Sequence, residues 1–166
     1  MTRIETIANG TIDYSRTGYA AMSAELENYK LVYGDILFSH INSLDHIGKV
    51  AQYLGEQELY HGMNLLLLRV SEYADSRFLY YWLTSTQARQ KVRSLARQAV
   101  NQASINTTEL KTLEMLFPPL PEQTAIAEIL SEMDAEILAL EERRKKTAGI
   151  KQGMMQELLT GRVRLV

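Results

Sequence analysis

The sequence predicts an α+β fold: a small mixed globular block followed by one long C-terminal α-helix that pairs as a coiled coil. Three observations carry this. Six of the nine glycines fall between Gly10 and Gly62 and none between Met63 and Ala148, so a turn-rich first third gives way to a mostly helical remainder. The three prolines cluster at Pro118, Pro119 and Pro121. Proline lacks a backbone donor and restricts its predecessor, which makes residues 118–121 a stiff joint. Beyond the joint, apolar residues recur at alternating spacings of four and three, an a/d heptad pattern.

The elements follow in order. Leu31 to Phe38 is rich in β-formers around a Gly34-Asp35 turn, Ile47 to Leu54 alternates weakly, and Asn64 to Val70 is a short apolar run between turn residues. Asp75 or Ser76 is placed to cap a helix through Phe78, Leu79, Trp82 and Leu83, continuing over Gln87 to Arg97 with Val92 and Leu95 on one side. A polar stretch, Asn101 to Asn106, precedes a short turn capped by Thr107 or Thr108, and Leu113 to Phe117 reads as a last strand before the joint. The predicted domains are a globular block over 1–117, the joint over 118–121, a helix over 122–160 and a tail over 161–166.

In the helix, Leu130, Ile137, Arg144, Lys151 and Leu158 form one seven-residue series, and Ile126, Met133, Leu140, Thr147 and Met154 form the other. At ~1.5 Å per residue the helix is a rod of roughly 55–60 Å. Such a stripe needs a partner helix, so Ile126, Leu130, Met133, Ile137, Leu140, Met154 and Leu158 are the predicted dimerisation residues. Glu141 to Lys146 is a solvated surface with i,i+4 ion pairs. Arg144 and Lys151, at core-type positions, either snorkel or meet acids across the seam.

Composition narrows the function classes. There are 18 basic and 20 acidic residues, so a uniformly basic coat is excluded, but residues 63–120 carry 7 basic and 4 acidic side chains. With no cysteine there is no disulfide, thiol nucleophile or cysteine-held metal. The spacing of His40, His46 and His61 is too loose to predict a metal site. No apolar run approaches the ~20 residues of a membrane span, and the first residues lack the apolar core of a signal peptide; no membrane association is expected, and a cytoplasmic location is. Phosphate-binding glycine loops are absent, and Pro118-Pro119 follows Phe117 rather than the amide or acid of an adenine methyltransferase motif. Asp35 and Asp45 lack an evident partner. No catalysis and no cofactor are expected of this chain.

Three groups suit nucleic acid. Arg89, Lys91, Arg93 and Arg97 form a basic run with no acid among them, fit for phosphates or for an ordinary solvated face. Ser39, His40, Asn42, Ser43, His46 and Lys49 lie near strand ends, fit for base edges or for a polar loop. The amides of Asn101 to Asn106, with Gln102, fit either closure of the fold or contact with DNA.

Several of these segments look familiar. Gly34-Asp-Ile-Leu-Phe-Ser39, Gly48-Lys-Val-Ala51 and Asn101-Gln-Ala-Ser-Ile-Asn106 resemble parts of a target recognition domain. Phe117-Pro-Pro-Leu-Pro-Glu-Gln123, Ala127-Glu-Ile-Leu130, Asp134 and Leu158-Leu-Thr-Gly161 resemble the conserved helical region that follows it. Together, from about Tyr29 onward, they are similar to the DNA specificity subunit of type I restriction–modification systems. That family's subunit has two recognition domains and two conserved helices; one of each is seen here, and the usual Trp and Leu-Gly opening of the domain is missing. The expectation is a half subunit with a shortened recognition domain.

The resemblance implies that the block reads one half of a split target in double-stranded DNA. Paired antiparallel helices would set the distance between halves, in a homodimer or with another half subunit. It further implies docking onto methyltransferase subunits, which modify adenine using S-adenosylmethionine, and through them onto restriction subunits. Two alternatives stay open: a fragment that does not bind DNA and modulates subunit pairing through its helix, and a coiled-coil adaptor unrelated to restriction.

Overall fold

The computed structural model describes residues 1–7, 10–21, 23–100 and 102–165. Contacts divide the chain into two units, residues 1–127 and 128–166. Among its described residues the first holds two small antiparallel sheets, three short α-helices and three 3₁₀ turns. The second is the greater part of one long helix.

Strand β1 (Ile36–Phe38) lies between β3 (Val50–Gln52) and β4 (Leu66–Leu68), antiparallel to both. Its three consecutive apolar residues are fully buried because both faces of this sheet are covered. Ile36 and Phe38 point into one core with Ile47, Val50, Leu83, Val92, Ala103 and Ile105. Leu37 points the other way, into a second core with Ile7, Leu31, Ala51, Tyr53, Leu59 and Leu65. Strand alternation thus sends neighbouring side chains to different cores. The second sheet has the order β2-β6-β5, from Ile41–Asn42, Gln102–Ser104 and Arg97–Ala99.

The helices start where side chains satisfy their orphan N–H groups. Asp75 caps α1 (Ser76–Thr84), accepting from the Arg77 and Phe78 amides. Ser85 ends that helix and caps α2 (Thr86–Leu95), so the single predicted helix is two. The physical reason is the extended backbone of Ser85, whose hydroxyl then accepts from the Ala88 N–H. Helix α2 stops at Leu95, and Arg97 opens a strand rather than lying on a helix. Helix α3 (Thr107–Leu110) is capped by Asn106, not by Thr107 or Thr108: Asn106 and Glu109 form a reciprocal capping box. Residues 113–117 form no strand; they lie beside α2, where Lys91 Nζ donates to the Glu114 carbonyl at 2.8 Å.

Helix α4 runs from Leu120 to Leu159. Pro121 therefore sits in its first turn, where a missing N–H costs nothing. Gln123 fixes this turn to the globular unit. Its side chain is buried, its Oε1 accepts from the Asp75 N–H at 3.0 Å, and its Nε2 donates to the Pro118 carbonyl at 2.8 Å. Beyond it the predicted a/d residues split: Ile126, Leu130 and Leu158 are half-buried, whereas Met133, Ile137, Leu140 and Met154 are exposed. The apolar stripe predicted from the spacing is therefore largely uncovered in the single chain.

Candidate nucleic-acid interface

The candidate site is built around the second sheet, the loop after β2 and one flank of α2. Strand β6 pairs with β2 in the register Ile41↔Ser104 and Asn42↔Ala103. On its other side it pairs with β5 in the register Arg97↔Ser104, Gln98↔Ala103 and Ala99↔Gln102. Ala103 and Ile105 are buried and face the first core, so the alternate residues face away from it. Of these, Gln102 is exposed and Arg97 has a side chain 76% accessible. Asn101, singled out in the sequence, lies outside the described residues.

The loop of residues 43–49 is held against α2. Gly48 has φ +76, and a Cβ there would come within 2.5 Å of Val92 Cγ1, so glycine is required both for the turn and for the close approach. Arg93 reaches the same loop, 3.8 Å from the Asp45 carboxylate. Asp45 thus has a partner, contrary to the sequence expectation, and so does Asp35. The Asp35 carboxylate is buried and accepts from Arg69 Nε and Nη2, both at 2.7 Å, and from the Val32 N–H at 2.8 Å.

The predicted site residues fall into distinct places. Asn42, His46 and Lys49 share a small cleft with Ile4, Glu5 and Ile7. Ser43 and Leu44 share a shallow groove with Gln98, Ala99, Gln102 and Ala103. Ser39 is wholly buried, and its hydroxyl accepts from Asn42 Nδ2 at 3.2 Å. It sits beneath the surface, where it orients Asn42 and does not reach solvent. His40 is half-buried, and its Nδ1 has no hydrogen-bond partner. Burial pushes its pKa below the ordinary value, so it is a neutral core-edge group.

The basic run divides as well. Ala88 and Val92 face the core, which turns Arg89 and Arg93 to one exposed flank of α2 and the half-buried Lys91 to the opposite flank. Arg97 is ion-paired through Nε to Glu109. The Asn106 N–H, joined by Arg97, holds the Glu109 carboxyl below the usual carboxylate range. Sequence reasoning missed Gln98 and Glu109. The signal for Gln98 is the Gln-Ala pair repeated at 98–99 and 102–103 around a short connection, which marks a hairpin. The signal for Glu109 is its position three residues after Asn106.

The profile of the family described as "Type I restriction modification DNA specificity domain" matches residues 2–150. The chain is 45% identical over 164 residues to a protein of Methanocaldococcus jannaschii designated, provisionally, the type I restriction enzyme MjaX specificity subunit; the match covers 96% of this chain and 39% of that one. It is 24% identical over 161 residues to the type I restriction enzyme EcoKI specificity subunit of Escherichia coli, covering 95% and 35%. It is 32% identical over 116 residues to the StySPI specificity subunit of Salmonella potsdam, covering 68% and 25%. The chain thus spans less than two-fifths of the length of these relatives. With the family profile covering most of its residues, the chain belongs to the type I restriction–modification DNA specificity domain family.

Proposed function

We propose that this chain supplies DNA sequence recognition to a type I restriction–modification system and performs no chemistry itself. Residues 1–117 act as the recognition domain, 118–121 as the joint, 122–160 as the spacer and dimerisation helix, and 161–166 as a tail. The observation that carries this is the family match over a unit in which one sheet, one loop and the Arg89/Arg93 flank lie together. Arg89 and Arg93 supply sequence-blind attraction to phosphates. Asn42, Ser43, Lys49 and Gln102 lie around the groove and cleft beside them, where side-chain donors and acceptors can meet base edges. The block reads one half of a bipartite target. Helix α4 pairs with a second copy, or with another specificity helix, and carries methyltransferase subunits and through them restriction subunits.

A second reading has one observation in its favour: the strand that the family resemblance leads one to expect at the opening is not seen among the described residues of 1–35, which form short 3₁₀ turns and an isolated bridge. On that reading the block does not bind DNA and the helix alone modulates subunit pairing. A gel-shift assay on duplex DNA, with the chain alone and with type I methyltransferase subunits added, separates the two. Retarded DNA whose position requires the chain supports recognition. Assembly with the methyltransferase but no change in DNA retention supports the second reading. Deletion of residues 128–166, which spares the buried Gln123 and Ala127 of the globular unit, should abolish assembly while leaving the block folded by circular dichroism. Normal assembly by the truncated chain would move the docking surface off the helix.

A further inference from the structure

Resting on the DNA-recognition reading, we propose that the β5–β6 ribbon is the base-reading element, with Arg97 and Gln102 as its readers and Glu109 as the residue that positions Arg97. The sheet register decides which residues share a face. Arg97 opposes Ser104 and Ala99 opposes Gln102, so these four, with Ile41 opposite Ser104 on the third strand, lie on one face. The other face carries Ala103, which is buried in the first core. The ribbon's outward face is therefore two long polar side chains, Arg97 and Gln102, flanked by the small Ala99 and Ser104. None of these carries negative charge. Strand β2 pairs only with Ala103 and Ser104, so at Ala99 and Gln102 the hairpin continues as a two-stranded ribbon, an element that fits the major groove, where arginine pairs with guanine O6 and N7 and glutamine with adenine N6 and N7.

Arg97 is also prepared for that task. It engages Glu109 through Nε, and its two Nη groups make no hydrogen bond among the described residues. Glu109 is itself fixed, because its other oxygen accepts from the Asn106 N–H at 2.9 Å in the capping box of α3. The guanidinium is thus held by one edge, which lowers the entropy lost when it binds. This moves Arg97 out of the phosphate-binding group in which its sequence neighbours Arg89 and Arg93 remain. Diagonal neighbours on a ribbon are about 7–8 Å apart, and base pairs are stacked about 3.4 Å apart. The readers should therefore specify a guanine and an adenine about two base pairs apart.

The test is selection from a random-sequence duplex pool by the full chain with type I methyltransferase subunits. Compared are the unaltered chain, R97K, Q102A, E109Q and the R89A/R93A pair. R97K keeps the charge and loses the planar fork, so it should relax a guanine preference about tenfold at one position while binding to non-target duplex is unchanged. Q102A should relax an adenine preference about two base pairs away. E109Q can still complete the capping box; it should blur the same position as R97K without lowering the melting temperature, an outcome that a purely structural role for Glu109 would not give. R89A/R93A should weaken target and non-target binding alike. If R97K and Q102A retain the unaltered base preferences, the ribbon is not the reader, although DNA recognition stands. If the unaltered chain enriches no sequence, the recognition reading fails and the ribbon proposal fails with it.

Discussion

Several single residues of the globular unit are polar where a core would favour apolar ones. Asp35 is buried, and its carboxylate is satisfied by Arg69 and the Val32 N–H. Because Arg69 is half exposed, the pair behaves as a charged hydrogen bond at the rim of the core. Asp35→Ala should lower unfolding free energy by roughly 1.5–3 kcal/mol in urea denaturation. A loss under about 0.5 kcal/mol, the range of neutral surface changes, would show the pair is dispensable. His40 and His61 add a pH dependence. Burial lowers the pKa of both; for His61 the effect is partly offset by Asp35 and reinforced by His40. Both stay below the ordinary value of 6.5 in the folded chain, so unfolding takes up protons as pH falls below that value. Their stabilising effect is complete above pH 6.5 and is lost as pH drops toward the folded-state values. The carboxylates held low, Glu58 by Lys30 and Glu109 by the Asn106 N–H, act only below about pH 4.5, so the windows separate. The melting temperature should fall between pH 7.5 and pH 5.5, and the His40→Gln/His61→Gln double variant should flatten that slope; an equal slope in both proteins contradicts the assignment.

At the scale of elements, the long helix was legible because apolar heptad positions recur at both ends of it, on either side of the polar Arg144, Thr147 and Lys151, and the buried strands were legible as short apolar runs. The break between α1 and α2 was not. Ser85 looks like an ordinary helix residue, and only its extended backbone, reused as a cap, splits the segment. Arg97 was misplaced for the same reason, since a basic run with helical spacing crosses the α2 terminus into a strand. Leu113 to Phe117 has strand-like composition, yet it packs by the Lys91 bond and the edge-to-face contact of Phe117 on Phe78, at 6.1 Å between centroids, instead of by a ladder. The candidate site was half legible: residue types were visible, but exposure was not, and Ser39 fell inside. Two predictions belong here. Gln123→Ala leaves the Asp75 N–H without its side-chain acceptor, and it should cost about 1–3 kcal/mol in thermal or urea unfolding. Replacing Ile137 and Leu140, both exposed in the single chain, with Asp should convert a self-associated species to a smaller one in light scattering. An unaltered chain that is monomeric at micromolar concentration and soluble without a partner contradicts the pairing.

At the scale of the whole molecule, the formal charge of −2 hides a division of labour. Residues 77–111 hold 6 basic side chains and 1 acidic one, Glu109, which is tied to Arg97. On the proposed function, a near-neutral protein with a local basic surface would depend on that surface, and on assembly partners, for its grip on DNA. Among the described residues no helix is long and apolar enough to cross a membrane, and no group of three potential metal ligands occurs. On the proposed function, this chain tells a methyltransferase where to act. The most direct measurement is a map of modified adenines on plasmid DNA treated with type I methyltransferase subunits and S-adenosylmethionine, with and without the chain. The account predicts methylated adenines at one recurring interrupted sequence only when the chain is present, and none with the chain alone. An unchanged pattern on adding the chain would contradict it.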